Sequence, residues 1–413
     1  MKLRIINIHL LINVRSENVL LKGAAMADLP ILGNAFLNII DGIIDSYGTM
    51  DQLKLHPFDP SWEIYDAKGA SILPTWCDSH THLVFATSRE SEFVDKIKGL
   101  TYAEIAAKGG GILNSADKLN QASEDALYKS AWIRLQELIN LGTGAIEIKS
   151  GYGLSVEGEL KMLRVIKKLK ENAPIPIKAS FLAAHTYPIA FKEDHPGYIK
   201  QIIEEMLPII SKEGLADYID VFCEQGFFSV EETIEICQAG KAVGLQPKIH
   251  ANQLSVSGGV EAGVALEALS VDHLESMDEN AIKTLAASST IGTLLPTAAY
   301  FLRMPFQPAR QLIDAGSAIA IASDFNPGSS PSGNMNMVVS MSCIQMKMLP
   351  EEAINAATIN GAYAMGLEDQ LGSITQGKLA NLIFTKPIPS ISYLPYAFGS
   401  NLIQRVMLNG AFQ

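Results

Sequence analysis

The sequence predicts an α/β fold: a (β/α)8 TIM-type barrel over residues 71–365, with a small β-sandwich domain built from residues 1–70 and 366–413. Three observations carry this prediction. Short apolar runs alternate with segments of helical period through the middle of the chain. Eight such pairs occur, the number that closes a parallel sheet into a barrel, and five of the eight histidines fall at the ends of the apolar runs. A chain of 413 residues that is 48% hydrophobic can bury the core this fold needs without disulfides.

From the N-terminus, residues 1–70 show β-type runs, Leu3–Leu11 and Phe36–Ile44, separated by Gly, Asn, Asp and Pro and lacking any long helical period. Lys2 and Arg4 before the apolar run Ile5–Val14 superficially suggest a signal peptide. Asn7, His9 and Asn13 interrupt that run and no small-residue cleavage site follows, so it reads as a strand. Barrel strands are expected before His80 and at Thr143–Ile148, Ile177–Ala183, Tyr218–Cys223, Gln246–Ile249, Ala268–Val271, Thr290–Leu295 and Ala318–Ala322. Helices are expected at Glu124–Asn140, Val156–Glu171, Ile199–Glu213, Val230–Val243 and Ala309–Ala315. An open doubly wound sheet is the alternative, but no GxGxxG follows the first strand to support it. At the C-terminal end, Gly372–Phe384 alternates and turns like strands, and the two ends of the chain are expected to pair in one sheet structure.

The net charge of −12 is spread along the chain with no run of Lys or Arg, which argues against nucleic acid as a partner. An acidic protein can still bind a small anion, because one Arg in a pocket sets the local field. Cys77, Cys223, Cys237 and Cys343 lack CxxC spacing and read as free thiols in a reducing cytoplasm. No stretch approaches the roughly 20 apolar residues of a membrane span. A homodimer is the expected assembly for a chain of this kind.

The chemistry lies at the strand ends. His80 and His82, His185, His250, His273 and Asp324 all follow candidate strands, and in a parallel barrel every such end points to one mouth. His80-Thr81-His82 puts two imidazoles on the same side of an extended strand end, where they can bind one ion. Alone, the pair reads more readily as ordinary polar residues. With His250 and Asp324 the set becomes three nitrogens and one oxygen around an open position, which suits zinc or ferrous iron better than calcium or magnesium. Either ion would bring the pKa of a bound water toward about 7. Asp324 could ligate the ion and hold the attacking water. His273 is placed to shuttle a proton or polarise a leaving nitrogen, or it is a core histidine satisfied by Glu275 or Asp272.

The stretches Asp78–Phe93, Glu147–Leu154, Phe181–His185, Asp220–Phe227, Lys248–Gln253, Val271–Glu275 and Ala322–Ser329, in this order, resemble the imidazolonepropionases, a family of the amidohydrolase superfamily. HxH with a late Asp is shared across that superfamily. Lys149-Ser-Gly-Tyr-Gly153 and Ser323-Asp-Phe-Asn-Pro-Gly328 are far more specific. The resemblance implies hydrolysis of the ring amide of 4-imidazolone-5-propanoate to N-formimidoyl-L-glutamate, with water activated on a single metal. By motif match it places His80, His82, His250 and Asp324 on the metal, and Arg89, Tyr152, Asn326, Gly328 and Ser329 on the propionate. It places His185 and Gln253 against the ring; His273 and Asp324, together with His185, are the expected catalytic group.

Elementary chemistry fits this division. A carboxylate wants a forked cation, and Arg89 follows the HxH strand closely, although it could instead be a surface residue paired with Glu90 or Glu92. Tyr152 sits in a Gly-Tyr-Gly turn that can hold a side chain up, or it is a packed loop aromatic. Asn326-Pro-Gly-Ser329 could offer main-chain N–H groups to an anion, or be an ordinary turn. Gln253 stands where the family can carry Glu; an amide cannot trade protons, so only hydrogen bonding is expected of it. Lys149 and Glu224, at the ends of the second and fourth strands, could be catalytic or supporting. Some superfamily members carry a carbamylated Lys near the fourth strand end. Here Cys223-Glu224-Gln225 stands there, which implies one metal. Other cyclic-amide hydrolases and nucleobase-type deaminases share the ligand pattern, and the Arg89 clamp is the feature that separates them.

Overall fold

The computed structural model describes residues 1–55, 60–100, 104, 108 and 110–413; His56, one of the histidines away from the strand ends, lies outside the described residues. The strands are β1 (Lys2–Ile12), β2 (Ile31–Ile40), β3 (Ile43–Thr49), β4 (Glu63–Asp66), β5 (Ile72–Pro74), β6 (Trp76–Asp78), β7 (Thr143–Lys149) and β8 (Ile177–Ala184). They continue with β9 (Tyr218–Cys223), β10 (Gln246–Ala251), β11 (Ser270–His273), β12 (Ile291–Leu294), β13 (Ile319–Ile321), β14 (Leu382–Thr385), β15 (Ile403–Leu408) and β16 (Ala411–Phe412).

Strands β6 to β13 pair in sequence order, every pair parallel, as the eight-unit pattern predicts. They are buried on both faces, which is why they read as continuous apolar runs. Beyond the last paired residues, Thr81 bridges Phe325, the His82 amide donates to Phe325 O (2.9 Å) and the Asp324 amide donates to His80 O (3.0 Å). The seam between the first and last strands is thus closed by the two segments that carry the HxH pair and Asp324.

The helices between strands start where side chains can satisfy their free amides. Ser123 and Ser155 accept from Ala126 and Gly158, and Ser229 and Glu232 form a reciprocal capping box. The segment expected as one helix from Ile199 differs. It runs His195–Gln201, widens into a π turn at Ile202–Met206 and resumes at Leu207–Glu213. Pro208 has no N–H and its ring crowds the preceding turn, so the ladder opens just ahead of it.

The terminal segments form a separate mixed sheet in the order β16-β15-β14-β5-β1-β2-β3, with β4 also on β1. Leu3, Ile5, Leu37, Ile39, Leu382 and Phe384 share its apolar core. The run Phe36–Ile44 is not one strand. Asp41 (φ 50°) and Gly42 (φ 82°) turn it back as a tight hairpin between β2 and β3, the two positive φ values that an Asp-Gly pair accommodates. β5 lies in this sheet, paired with β1 and β14, so the first barrel strand begins at Trp76. All four cysteines are free, and no described helix is long and apolar enough to cross a membrane.

Candidate active site

His80, His82, His250, His273 and Asp324 meet at the C-terminal mouth of the barrel, each 3% exposed or less. Two of the imidazoles are fixed from behind. His80 Nδ1 lies 2.7 Å from Asp272 Oδ2 and His250 Nδ1 lies 3.0 Å from Asp220 Oδ1. A carboxylate only accepts, so each Nδ1 carries the hydrogen and each Nε2 is left as a lone-pair donor. Both Nε2 atoms are buried without a hydrogen-bond partner. Asp324 Oδ1 is 3.6 Å from His80 Nε2 and 3.5 Å from His82 Nε2. Ligands on bonds of about 2.1 Å at tetrahedral angles stand roughly 3.4 Å apart, so these residues fit a divalent metal. His80, His82 and His250 offer nitrogens within 4.8 Å of one another, as do His80, His273 and Asp324 with their ligand atoms.

Beneath the imidazoles lies a fully buried charge network. Lys149 Nζ contacts Glu147 (2.5 Å), Asp220 (2.8 Å) and Asp272 (3.5 Å). Lys248 Nζ contacts Glu147 and donates to Ser79 O (3.1 Å). Three carboxylates face two lysines, an imbalance that favours a cation above them. Burial, with Lys149 and the neighbouring histidines, pushes His80, His82 and His250 well below the usual imidazole range. They are therefore neutral, the form that binds a metal. Burial raises Asp324 to about 7, partly opposed by His273. For His273 burial acts downward, but Glu275, Asp324 and Asp272 outweigh it and the net shift is upward. His273 (φ 90°) and Asp324 (φ 50°) both hold left-handed backbone, costing roughly 1–3 kcal/mol each where a site over-determines it.

The mouth opens on a small cavity of about 60 Å3, lined by Tyr152, His185, Gln253, Asn326 and Ser329 beside His82, His250, His273 and Asp324. Arg89 and Gly328 are not in that lining. Arg89 lies over Gly328, where a Cβ would stand 2.4 Å from its Nη1, and its Nε donates to Glu92 (2.9 Å). The alternative pairing with Glu92 thus coexists with a place beside the mouth. In the Asn326 turn, Gly328 N and Ser329 N both donate to Asn326 Oδ1 at 2.8 Å. Those amides close an Asx turn; they do not face outward to an anion.

The family model of the amidohydrolase family matches residues 71–412. An imidazolonepropionase of Flavobacterium johnsoniae is 59% identical over 405 residues, covering 98% of both chains. One of Clostridium tetani is 41% identical over 388 residues, covering 94% of this chain and 92% of its own. The chain belongs to the imidazolonepropionase family. Among solved structures, a 5-methylcytosine deaminase from Klebsiella pneumoniae superposes with TM-score 0.74 at 16% identity, covering 99% of this chain and 96% of its own. The E. coli guanine deaminase gives 0.73 at 12% identity, over 100% and 99%. At those identities the likeness shows the fold this imidazolonepropionase-family chain shares with them.

Motif reading assigns no role to several residues that shape the site. Glu147, Asp220 and Lys248 form the network under the imidazoles, Phe222 lines the cavity, and Gln307 donates to Glu275 (2.9 Å), the partner of His273. A signal was present: polar residues at i and i+2 in strands otherwise apolar, as in Glu147 with Lys149 and Lys248 with His250, mark the inward face. Lys149 belongs to the buried network. Glu224 instead accepts from the amides of Leu254 (2.8 Å) and Ser255 (3.3 Å), which anchors the loop behind Gln253.

Proposed function

We infer that the chain hydrolyses the ring amide of 4-imidazolone-5-propanoate to N-formimidoyl-L-glutamate, a step of histidine degradation. The observation that carries this is the meeting of His80, His82, His250 and Asp324 at one mouth, in a chain 59% identical to an imidazolonepropionase. Three imidazole nitrogens and one carboxylate oxygen support Zn2+ or Fe2+ as the resident ion. When bound, such an ion acidifies a water toward pKa ~7 and polarises the ring carbonyl.

The chain's own residues do the rest. Asp324 divides its oxygens: Oδ1 faces the imidazoles, and Oδ2 accepts from Ser329 Oγ (3.4 Å) and keeps a second lone pair to take a proton from the attacking water. His273, held by Glu275, donates a hydrogen bond to the carbonyl oxygen as negative charge builds there. Oxygen adds to the carbonyl carbon, the ring C–N bond breaks, and the proton held by Asp324 passes to the departing nitrogen. His185 Nδ1 lies 3.1 Å from Gly151 O, a carbonyl that can only accept. Nδ1 is therefore the donor, and burial lowers this imidazole to about 4, so Nε2 is an acceptor for a ring N–H. Gln253 hydrogen-bonds the ring without moving a proton. Arg89 and Tyr152 hold the propionate, with Ser329 beside them. Asn326 and Gly328 shape the turn under it. The free thiols support a cytoplasmic location.

The test is direct. Metal-replete protein supplied with freshly generated imidazolone propionate should bleach the ring absorbance and form formimidoylglutamate. A chelator should stop this, and added Zn2+ or Fe2+ should restore it. Unchanged absorbance with metal-replete protein overturns the assignment.

A further inference from the structure

Glu159, in the first turn of helix Val156–Asn172, is fully buried, yet it touches no cationic side chain. Besides the Ser150 hydroxyl, its partners are three main-chain amides of the loop ahead of it. Oε1 accepts from Gly153 N (2.7 Å) and Leu154 N (3.0 Å), and Oε2 accepts from Gly151 N (2.9 Å). The loop cannot satisfy these donors otherwise. Gly151 (φ 108°) and Leu154 (φ 49°) are in left-handed backbone, which turns the amides away from any strand partner and toward the helix. The packing is as tight as the chain allows. A Cβ on Gly153 would stand 2.2 Å from Glu159 N, and one on Gly151 would stand 2.9 Å from His185 Nδ1.

Two cavity walls depend on this loop. Tyr152 stands between two of the gathered amides, its ring centroid 5.8 Å from His82 and 5.6 Å from His185. Gly151 O is the acceptor that fixes the His185 ring at 3.1 Å. One carboxylate therefore sets the position of both the aromatic wall and the imidazole. We propose that Glu159 is a positioning residue for substrate binding: it gathers the Gly151–Leu154 amides and thereby holds Tyr152 and His185 where the substrate is received. A carboxylate is the right group because both its oxygens only accept, whereas an amide would turn an N–H toward one of the three donors. The proposal rests on the imidazolonepropionase reading and extends it to a residue that touches no substrate.

The experiment is steady-state kinetics on imidazolone propionate with metal content measured in parallel. Glu159→Gln should raise KM at least tenfold, leave kcat within about threefold, and keep the metal content of the unmodified chain. Asn120→Ala loosens the same loop from its outer side, where Asn120 Nδ2 donates to Gly153 O (2.8 Å). It should raise KM by a smaller factor, and it keeps the test open should Glu159→Gln fail to fold. In a Tyr152→Phe background the KM effect of either variant should shrink, since the contact being positioned is already lost. An unchanged KM in Glu159→Gln overturns the proposal. So does an unchanged KM in Asn120→Ala when Glu159→Gln is unfolded, and so does full additivity with Tyr152→Phe. Failure of the unmodified chain to turn the substrate over would instead sink the functional reading, which separates the two.

Discussion

Adding a single methyl group at Gly328 tests whether Arg89 clamps the substrate carboxylate. The main chain at Gly328 is outside the left-handed region, so alanine is tolerated by the backbone. The conflict is with Arg89: the new Cβ would stand 2.4 Å from Nη1, and ordinary contact begins near 3.4 Å, so the guanidinium must withdraw by about 1 Å. Arg89 is the far end of a flexible side chain and can move, which keeps the effect on stability small. Its charge remains in place, but Nη1, the end not bonded to Glu92, no longer meets a carboxylate squarely. Loss of one charge-assisted hydrogen bond is worth about 1.5–3 kcal/mol, or roughly 10- to 150-fold in binding. Steady-state kinetics on Gly328→Ala should therefore show KM raised by this factor, with kcat and metal content little changed. An unaltered KM, with a thermal midpoint showing the chain folded, would refute the placement of Arg89 on the propionate.

Three other outcomes follow from the same geometry. His273→Ala should lower kcat by orders of magnitude while metal content stays near that of the unmodified chain, because His273 acts on the oxyanion; unchanged turnover removes it from the mechanism. Asp272→Asn keeps the shape of the contact to His80 but removes the charge, and should weaken metal affinity about 10- to 100-fold, read by competition against chelators of graded strength; equal affinity would show that the buried carboxylate does not tune the site. Lys378, buried against Leu371 O (2.9 Å) and Ser373 Oγ (2.8 Å), is pushed by burial down to about 8 from 10.5. On raising the pH the folded chain then releases this proton before the unfolded chain does. Stability should rise between about pH 8 and 10.5, by at most about 3 kcal/mol, and Lys378→Met should lack that rise; parallel thermal curves for the two chains would sink the argument.

The barrel was legible because parallel strands covered on both faces must be apolar throughout, and this one-dimensional signal survives without any knowledge of partners. β7 and β9 are recovered to within a residue for that reason. The positions of His80, His82, His250 and Asp324 were legible through topology, since the ends of parallel strands share a mouth. What escaped was long-range or local in ways periodicity does not encode. The Asp41-Gly42 hairpin falls inside an apolar run and breaks it with two residues. The carboxylates under the imidazoles are visible only as charges on an inward face, and which histidine each meets depends on neighbouring strands: Asp272, next to His273 in sequence, bonds His80. The Asn326 turn shows the limit of motif reading most plainly, because its amides are closed by the turn's own side chain. Sequence leaves Arg89 as either a clamp or a partner of Glu90 or Glu92, and it touches Glu92 while overlying Gly328.

The barrel seam has a consequence for assembly. His80 and His82 belong to the opening turn of the cylinder and Asp324 to its final one, joined by only two main-chain bonds. A cation gripped by all three would act as a clasp across that junction, so ligation must await docking of the last strand during folding. Stripping the ion should let the cylinder fray first along this line, with amide exchange at His82 and Asp324 quickening ahead of the opposite wall.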